Sequence, residues 1–239
     1  MTLLKILKSE KDIGYINGIY KQVQVLFTHN SNKIEGSKLT LEQTRSIFEY
    51  NTIDISSNTL NINDIIETTN HFQCIDYIIN NAARQLSESI IKKLHKTLYT
   101  GINLKNRKWF KIGEYKKKPN TVADIETTTP EDTPEAVRNL LLQYNSKQNI
   151  SIDDIIDFHV SFERIHPFQD GNGRVGRLIM FKECLKYNIV PFIIEDECKQ
   201  FYYRGLREYR KEKGFLVETC LAAQDKFKKH LDYFKIPYK

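Results

Sequence analysis

Apolar residues recur at intervals of three and four along most of this chain, the spacing of amphipathic helices. Ile62, Ile65, Ile66, Phe72, Ile75, Ile78 and Ile79 mark a long one. Ser89–Tyr99 reads as a shorter one, ended by Gly101, since glycine accepts the positive φ of a helix terminus. Val137, Leu140, Leu141 and Tyr144 follow Thr133-Pro134, with Pro134 at the first helical position. Ile152, Ile155, Ile156, Phe162 and Ile165 form the core face of a helix over Ser151–Ile165. Ser151 caps it, Asp153 and Asp154 complement its positive end, and Pro167 disfavours helical geometry at His166. A further helix begins near Gly173 and carries Val175, Leu178, Ile179 and Leu185. Cys198–Arg210 and Phe215–Phe234 are two more. Upstream, Thr40 and Gln43 have the spacing of a capping box, ahead of Ile47 and Phe48.

The pattern changes between Lys108 and Pro130, where "WFKIGEYKKKPNTVADIETTTP" is rich in aromatic, β-branched and turn residues. That composition predicts a strand or hairpin turning around Lys117–Asn120. The fold class expected is all-α with one small β element.

At 239 residues the chain is long enough to bury a full core. We expect an N-terminal helical region over 1–85 followed by a catalytic core over 86–239. The longest apolar runs, such as Ile189–Ile194, are too short to span a membrane, and charges scattered through the first residues argue against a signal peptide. Cys74, Cys184, Cys198 and Cys220 form no CxxC pair and no zinc spacing, which points to reduced thiols in a cytoplasmic protein. Net charge is +6, from 36 basic and 30 acidic residues, which is compatible with anionic ligands. The charges are interleaved and show no helix-turn-helix or finger spacing, which disfavours nucleic acid as the main partner.

The densest chemistry lies in "HPFQDGNGRVGR", His166–Arg177. The glycines let backbone amides turn inward at a helix N-terminus, where partial positive charge favours phosphate. Arg174 and Arg177, three apart, share a helix face, and their forks match phosphate oxygens. A carboxylate in a phosphate site needs a cation beside it, so Asp170 reads as a ligand of Mg²⁺, which takes one carboxylate plus substrate phosphates. His166 can accept a proton from a hydroxyl near neutral pH. Phe168 reads as an apolar peg. Singly, each of these is an ordinary turn, face or core residue. Within one loop they converge on transfer of a phosphorus group from Mg²⁺–nucleotide to an alcohol.

The same residues match HPFx(D/E)GNGRxxR, and on them the chain resembles the Fic family, from about Ser31 to the helix after Tyr203. The resemblance implies a helical Fic core with a small β-hairpin flap, and transfer of AMP from ATP to a Ser, Thr or Tyr hydroxyl of a protein. It implies His166 as general base, Asp170 on Mg²⁺, Gly171, Asn172 and Gly173 around the α- and β-phosphates, and Arg174 and Arg177 on the β- and γ-phosphates. Gly173, rather than the lysine of a phosphorylating branch, follows the AMP-transferring pattern. Tyr202 and Tyr203 stand where relatives carry a pair near the adenine, and Arg210 where many have an adenine-contacting asparagine. The flap, near residues 111–125, would hold the target backbone along Thr121 and Val122, with Lys116 where relatives often have arginine.

"SNKIEG", Ser31–Gly36, fits the inhibitory motif (S/T)xxxE(G/N) of autoinhibited relatives. The resemblance implies that Glu35 pairs with Arg177 and displaces the γ-phosphate, with Ser31 orienting it. Two alternatives use the same residues: a hydrolase that removes AMP, with Glu35 positioning water, and a nucleotide-binding regulator without turnover. The intact His166 argues against the regulator. Self-association is left open.

Overall fold

The computed structural model describes residues 2–54, 59–104, 109–122 and 125–238. Lys108, at the start of the expected hairpin segment, and residues 123 and 124, within the expected flap, lie outside them. In chain order the helices are α1 (Leu3–Asp12), α2 (Ile19–Ile34), α3 (Leu41–Tyr50), α4 (Ile62–Asn80), α5 (Glu88–Leu98), α6 (Thr133–Asn145), α7 (Ile152–Ile165), α8 (Asn172–Tyr187), α9 (Lys199–Glu208) and α10 (Gly214–Tyr233). A 3-10 turn, Asp196–Cys198, precedes α9. None of these helices is long and apolar enough to cross a membrane.

Local signals set several boundaries. Thr40 accepts from the Gln43 amide at 3.1 Å while Gln43 returns a contact to the Thr40 amide at 3.0 Å, so the capping box opens α3. Ser151 and Asp154 do the same for α7. Pro134 sits in the first turn of α6.

The β element departs from expectation. A hairpin flap over 111–125, turning at Lys117–Asn120, is not what forms: residues 111–120 are turns and bends. Among the described residues, β structure is confined to two-residue strands, β1 (Thr121–Val122) and β2 (Ile125–Glu126), pairing Thr121 with Glu126 and Val122 with Ile125. Tertiary contacts override the local β preference of this stretch. The buried Lys116 ammonium donates to Asn120 Oδ1 at 2.8 Å, Thr127 Oγ1 at 2.7 Å and the Ile165 carbonyl at 3.0 Å. Its backbone amide donates to the Pro167 carbonyl at 2.8 Å. The segment is thus tied down onto the end of α7 by polar groups.

The core positions the loop between α7 and α8. One apolar cluster joins Phe27 of α2, Ile75 and Ile78 of α4, Leu94 of α5, Phe162 of α7, Phe168, and Leu178 and Phe181 of α8. A second lies on the other side of α8 and includes Ile34, Ile156, Met180, Tyr202 and Leu216. From Arg174 to Leu185 every residue of α8 is buried. Phe168 is fully buried, with its ring stacked on His95 at 4.0 Å and 2°. Burying a Phe side chain contributes about 2–3 kcal/mol, so this peg fastens the middle of the loop.

Candidate active site

α7 ends in a left-handed residue, His166, at φ 50° and ψ 61°. Such a conformation is uncommon outside glycine, and it persists where the surroundings over-determine it. Here Pro167 blocks helical continuation, and the His166 amide is held by the Phe162 carbonyl at 2.9 Å. The ring's Nδ1 lies 3.3 Å from the Glu163 carbonyl oxygen. A carbonyl only accepts, so Nδ1 carries the hydrogen and Nε2 keeps its lone pair. Burial lowers the His166 pKa to about 4, with Lys116 adding to the effect and the Glu163 carbonyl, Asp170 and Glu35 opposing it. The ring is therefore neutral at physiological pH, with Nε2 free to accept a proton.

Beyond the peg the loop is stapled by Asn172. Its Oδ1 accepts from the Phe168 amide at 2.8 Å and its Nδ2 donates to the Phe168 carbonyl at 2.9 Å. With Oδ1 and one Nδ2 hydrogen so engaged, the Asn172 side chain fixes the loop and its backbone N–H opens α8. Gly171 is the N-cap of α8, at φ 78°, and supplies no side-chain cap. The first-turn amides of Asn172, Gly173 and Arg174 thus start α8 uncapped, the condition for an anion site. Asp170 is the exposed residue of the loop, and its Oδ1 accepts from the Gly171 amide at 2.7 Å.

A Cβ on Gly171 would stand 2.6 Å from the buried Tyr99 ring, at a φ that L side chains rarely adopt. Gly171→Ala is expected to cost about 1–3 kcal/mol, read in a thermal melt as a Tm lower by roughly 3–10 °C. An unchanged Tm would show that loop and ring yield freely.

Both arginines already have carboxylate partners. Arg177, whose side chain is 2% exposed, donates through Nη2 to Glu35 Oε1 at 2.7 Å and to the Ser31 carbonyl at 3.0 Å, and through Nε to Ser31 Oγ at 3.1 Å. Glu35 is the C-cap of α2, one residue past its last helical position, and is followed by Gly36 at φ 100°. Burial alone would raise the Glu35 pKa, but Arg177, with Arg174 and Lys199 behind it, outweighs burial and holds it below the usual carboxylate value. Arg174 pairs with Glu67 of α4 and donates to the Tyr99 hydroxyl at 3.0 Å. Arg177 Nη1 and Arg174 Nε are buried without partners among the described residues, leaving donors in reserve.

Glu35, Thr121, Glu163, His166, Gly173, Arg177, Tyr202 and Tyr203 line one cleft of about 380 Å³. It joins the expected residues of the N-terminal motif to those of the loop. Tyr202 is buried and its hydroxyl is 2.6 Å from His159 Nε2, so it supports the cleft wall, while half-buried Tyr203 is the more open of the pair. Arg210 lies on a separate groove of about 1080 Å³ with Arg164, Arg207 and Lys211. Thr121 is exposed at the cleft edge. Among the described residues, no group of three or more His, Cys, Asp or Glu is placed to hold a metal.

Sequence reading missed Glu67, Tyr99, His159 and Glu163. Glu163 left a readable trace: it is a charged residue on the apolar face of α7, four positions after His159.

Comparison with known proteins agrees with the loop. Residues 85–184 match the Fic/DOC family. The chain is 28% identical over 196 residues to the protein adenylyltransferase Fic of Nematostella vectensis, covering 79% of this chain and 44% of that one. It is 23% identical over 190 residues to protein adenylyltransferase fic-1 of Caenorhabditis elegans, covering 78% and 36%. The chain thus spans less than half the length of these relatives. Its structure resembles a Fic domain containing signaling protein from Bacteroides thetaiotaomicron, with a TM-score of 0.76, 25% identity, and 96% and 94% of the two chains covered. A C. elegans Fic-1 fragment shares the fold, with a TM-score of 0.74, 18% identity, and 97% and 72% covered.

Proposed function

We propose that this chain, which carries a Fic domain, is a protein adenylyltransferase restrained by its own Glu35. It moves AMP from ATP to a hydroxyl of a target protein and of itself. The observation that carries this reading is the neutral His166 in one cleft with Gly173 and an Arg177 whose guanidinium is occupied by Glu35.

Release of Glu35 frees Arg177 for the γ-phosphate. The uncapped first-turn amides of α8 take the charge of the α- and β-phosphates, with Arg174 behind them. His166 Nε2 accepts the proton of the target hydroxyl as that oxygen bonds to the α-phosphorus. The bond from the α-phosphorus to the bridging oxygen breaks, and pyrophosphate leaves. The donor set fits a cation that arrives with the nucleotide: one exposed carboxylate, Asp170, and no protein cage among the described residues. Mg²⁺ held there would neutralise charge on the departing pyrophosphate. Thr121, with the backbone of Val122, is where the target segment passes the cleft. The four free cysteines fit a reducing, cytoplasmic setting.

The test uses two labels. Glu35→Gly protein is incubated with Mg²⁺ and ATP labelled on either the α- or the γ-phosphate. Label should enter protein from the α position alone. Entry from the γ position would mean phosphoryl transfer, and entry from neither, with ATP bound, would remove the transferase reading.

A further inference from the structure

Glu163 has no place in the mechanism above, yet the cleft is built around it. Its carboxyl is on α7, 6% exposed, and Oε1 has no hydrogen-bond partner among the described residues. An unsatisfied buried carboxyl costs stability, so its retention calls for a function. Space is reserved for it: a Cβ on Gly176 of α8 would stand 2.9 Å from Glu163 Oε1 and 2.7 Å from His159 Nδ1. Its other oxygen, Oε2, lies 3.8 Å from His166 Nδ1, the nitrogen that faces away from the reacting hydroxyl.

We infer that Glu163 is a positioning residue for His166: it flanks Nδ1 and supplies the negative charge that steadies the imidazolium formed when Nε2 takes the hydroxyl proton. The inference rests on the transferase reading for its consequence in rate, but not for the contact itself. No covalent bond to Glu163 is made or broken. A proton moves from the hydroxyl to Nε2, and the carboxylate lowers the cost of the resulting positive charge.

The groups facing Glu163 define its pH behaviour. They are His159 and His166 on and just beyond its own helix, Arg177 from α8, Glu35 from the end of α2, and Tyr202 and Tyr203 from α9. Burial pushes the Glu163 pKa up to about 8, Arg177 pulls it down, and Glu35 raises it further. The carboxyl is therefore largely protonated at neutral pH and becomes a useful counter-charge as pH rises. Removing the Glu35 carboxylate takes away a charge that raises this pKa. In the Glu35→Gly protein the rate should thus gain an ionisation at or somewhat below about 8.

Two measurements test this. The first compares Glu35→Gly with Glu35→Gly/Glu163→Gln, whose amide matches the protonated carboxyl in shape. We expect kcat above about pH 8.5 to fall about tenfold with KM for ATP unchanged, kcat at neutral pH to change little, and the alkaline gain in rate to vanish. Equal kcat and an identical pH profile would overturn the inference and leave the transferase reading intact. No transfer by Glu35→Gly itself would overturn that reading instead. The second needs no activity. The imidazole ¹⁵N resonances of His166 in the wild-type protein, assigned by their loss in His166→Ala, are followed from pH 6 to 10. Lys116, which also acts on His166, is lowered to about 8, so the titration is repeated in Glu163→Gln: an inflection near 8 that is lost in this variant reports the Glu163 carboxyl beside Nδ1, and one that is absent from wild type or survives in the variant would refute the contact.

Discussion

Glu35→Gly should transfer AMP about 30- to 150-fold faster than the wild-type chain, because an ion pair favouring the closed state by about 2–3 kcal/mol holds back that fraction of competent molecules. The structure makes the assignment specific. Arg177 is almost wholly buried, and among the described residues Glu35 is the only carboxylate paired with it. On the proposed reading a γ-phosphate needs the same guanidinium, so the two would compete for one fork. Glycine suits the vacated position, a helix C-cap leading into Gly36. Loss of Glu35 also leaves a buried guanidinium without its counter-charge. The variant should therefore melt lower than wild type without nucleotide and recover when ATP is added. The Glu35 pKa is held below the ordinary value, so the pair is intact above that value and is lost only as pH falls through the lowered one. Between about pH 5.5 and 6.5, below the ionisation of Glu163, the ratio of variant to wild-type rate should stay constant. Equal initial rates of label incorporation in the two proteins would remove Glu35 as the brake.

His166→Ala in the Glu35→Gly background should lose about 10²- to 10⁴-fold in AMP transfer, the range for a positioned general base. ATP affinity by calorimetry should hardly change, because on the proposed reading the ring meets the hydroxyl while Arg177, Gly173 and the amides of α8 hold the phosphates. The pH dependence gives an independent check. The base must be neutral, and burial places its pKa at about 4. Activity on the acid side should therefore persist through pH 5.5 and fall as pH drops through about 4, rather than through the ordinary histidine value of about 6.5. An acid limb centred near 6.5 would mean that the ring is hydrated in the working enzyme. Residual transfer within tenfold of the parent would assign the proton elsewhere.

Much of the site could be read from the chain because its parts are neighbours in sequence. From His166 to Arg177 the base, the peg, the glycines and the arginines lie within a helix end, a turn and a helix start, where backbone geometry follows from Pro167, Gly171 and the start of α8. The caps at Thr40 and Ser151 were equally readable, each closing within three residues. The segment before β1 was not. Its aromatic and β-branched content favours strands, but Lys116 draws it onto the carbonyl end of α7, a partner 49 residues away. α1 was not among the expected helices, although Leu3, Leu4, Ile6 and Leu7 have helical spacing. α8 carries no one-sided stripe because it is buried on all sides.

The residue types alone therefore reached most of the local structure: most of the helices, the caps that open them, and a glycine turn that follows a histidine. Interactions between residues i and i+4 suffice for that. The occupants of the arginines were decided by packing. Glu35 reaches Arg177 across 142 positions and Glu67 reaches Arg174 across 107, because α2 and α4 are pressed against α8 by the shared core of Phe27, Ile75 and Phe181. Glu163 likewise becomes notable only once Gly176 of α8 opens room beside it. Contacts at such separations depend on how whole helices bury their apolar faces, and no short stretch of residues encodes that geometry.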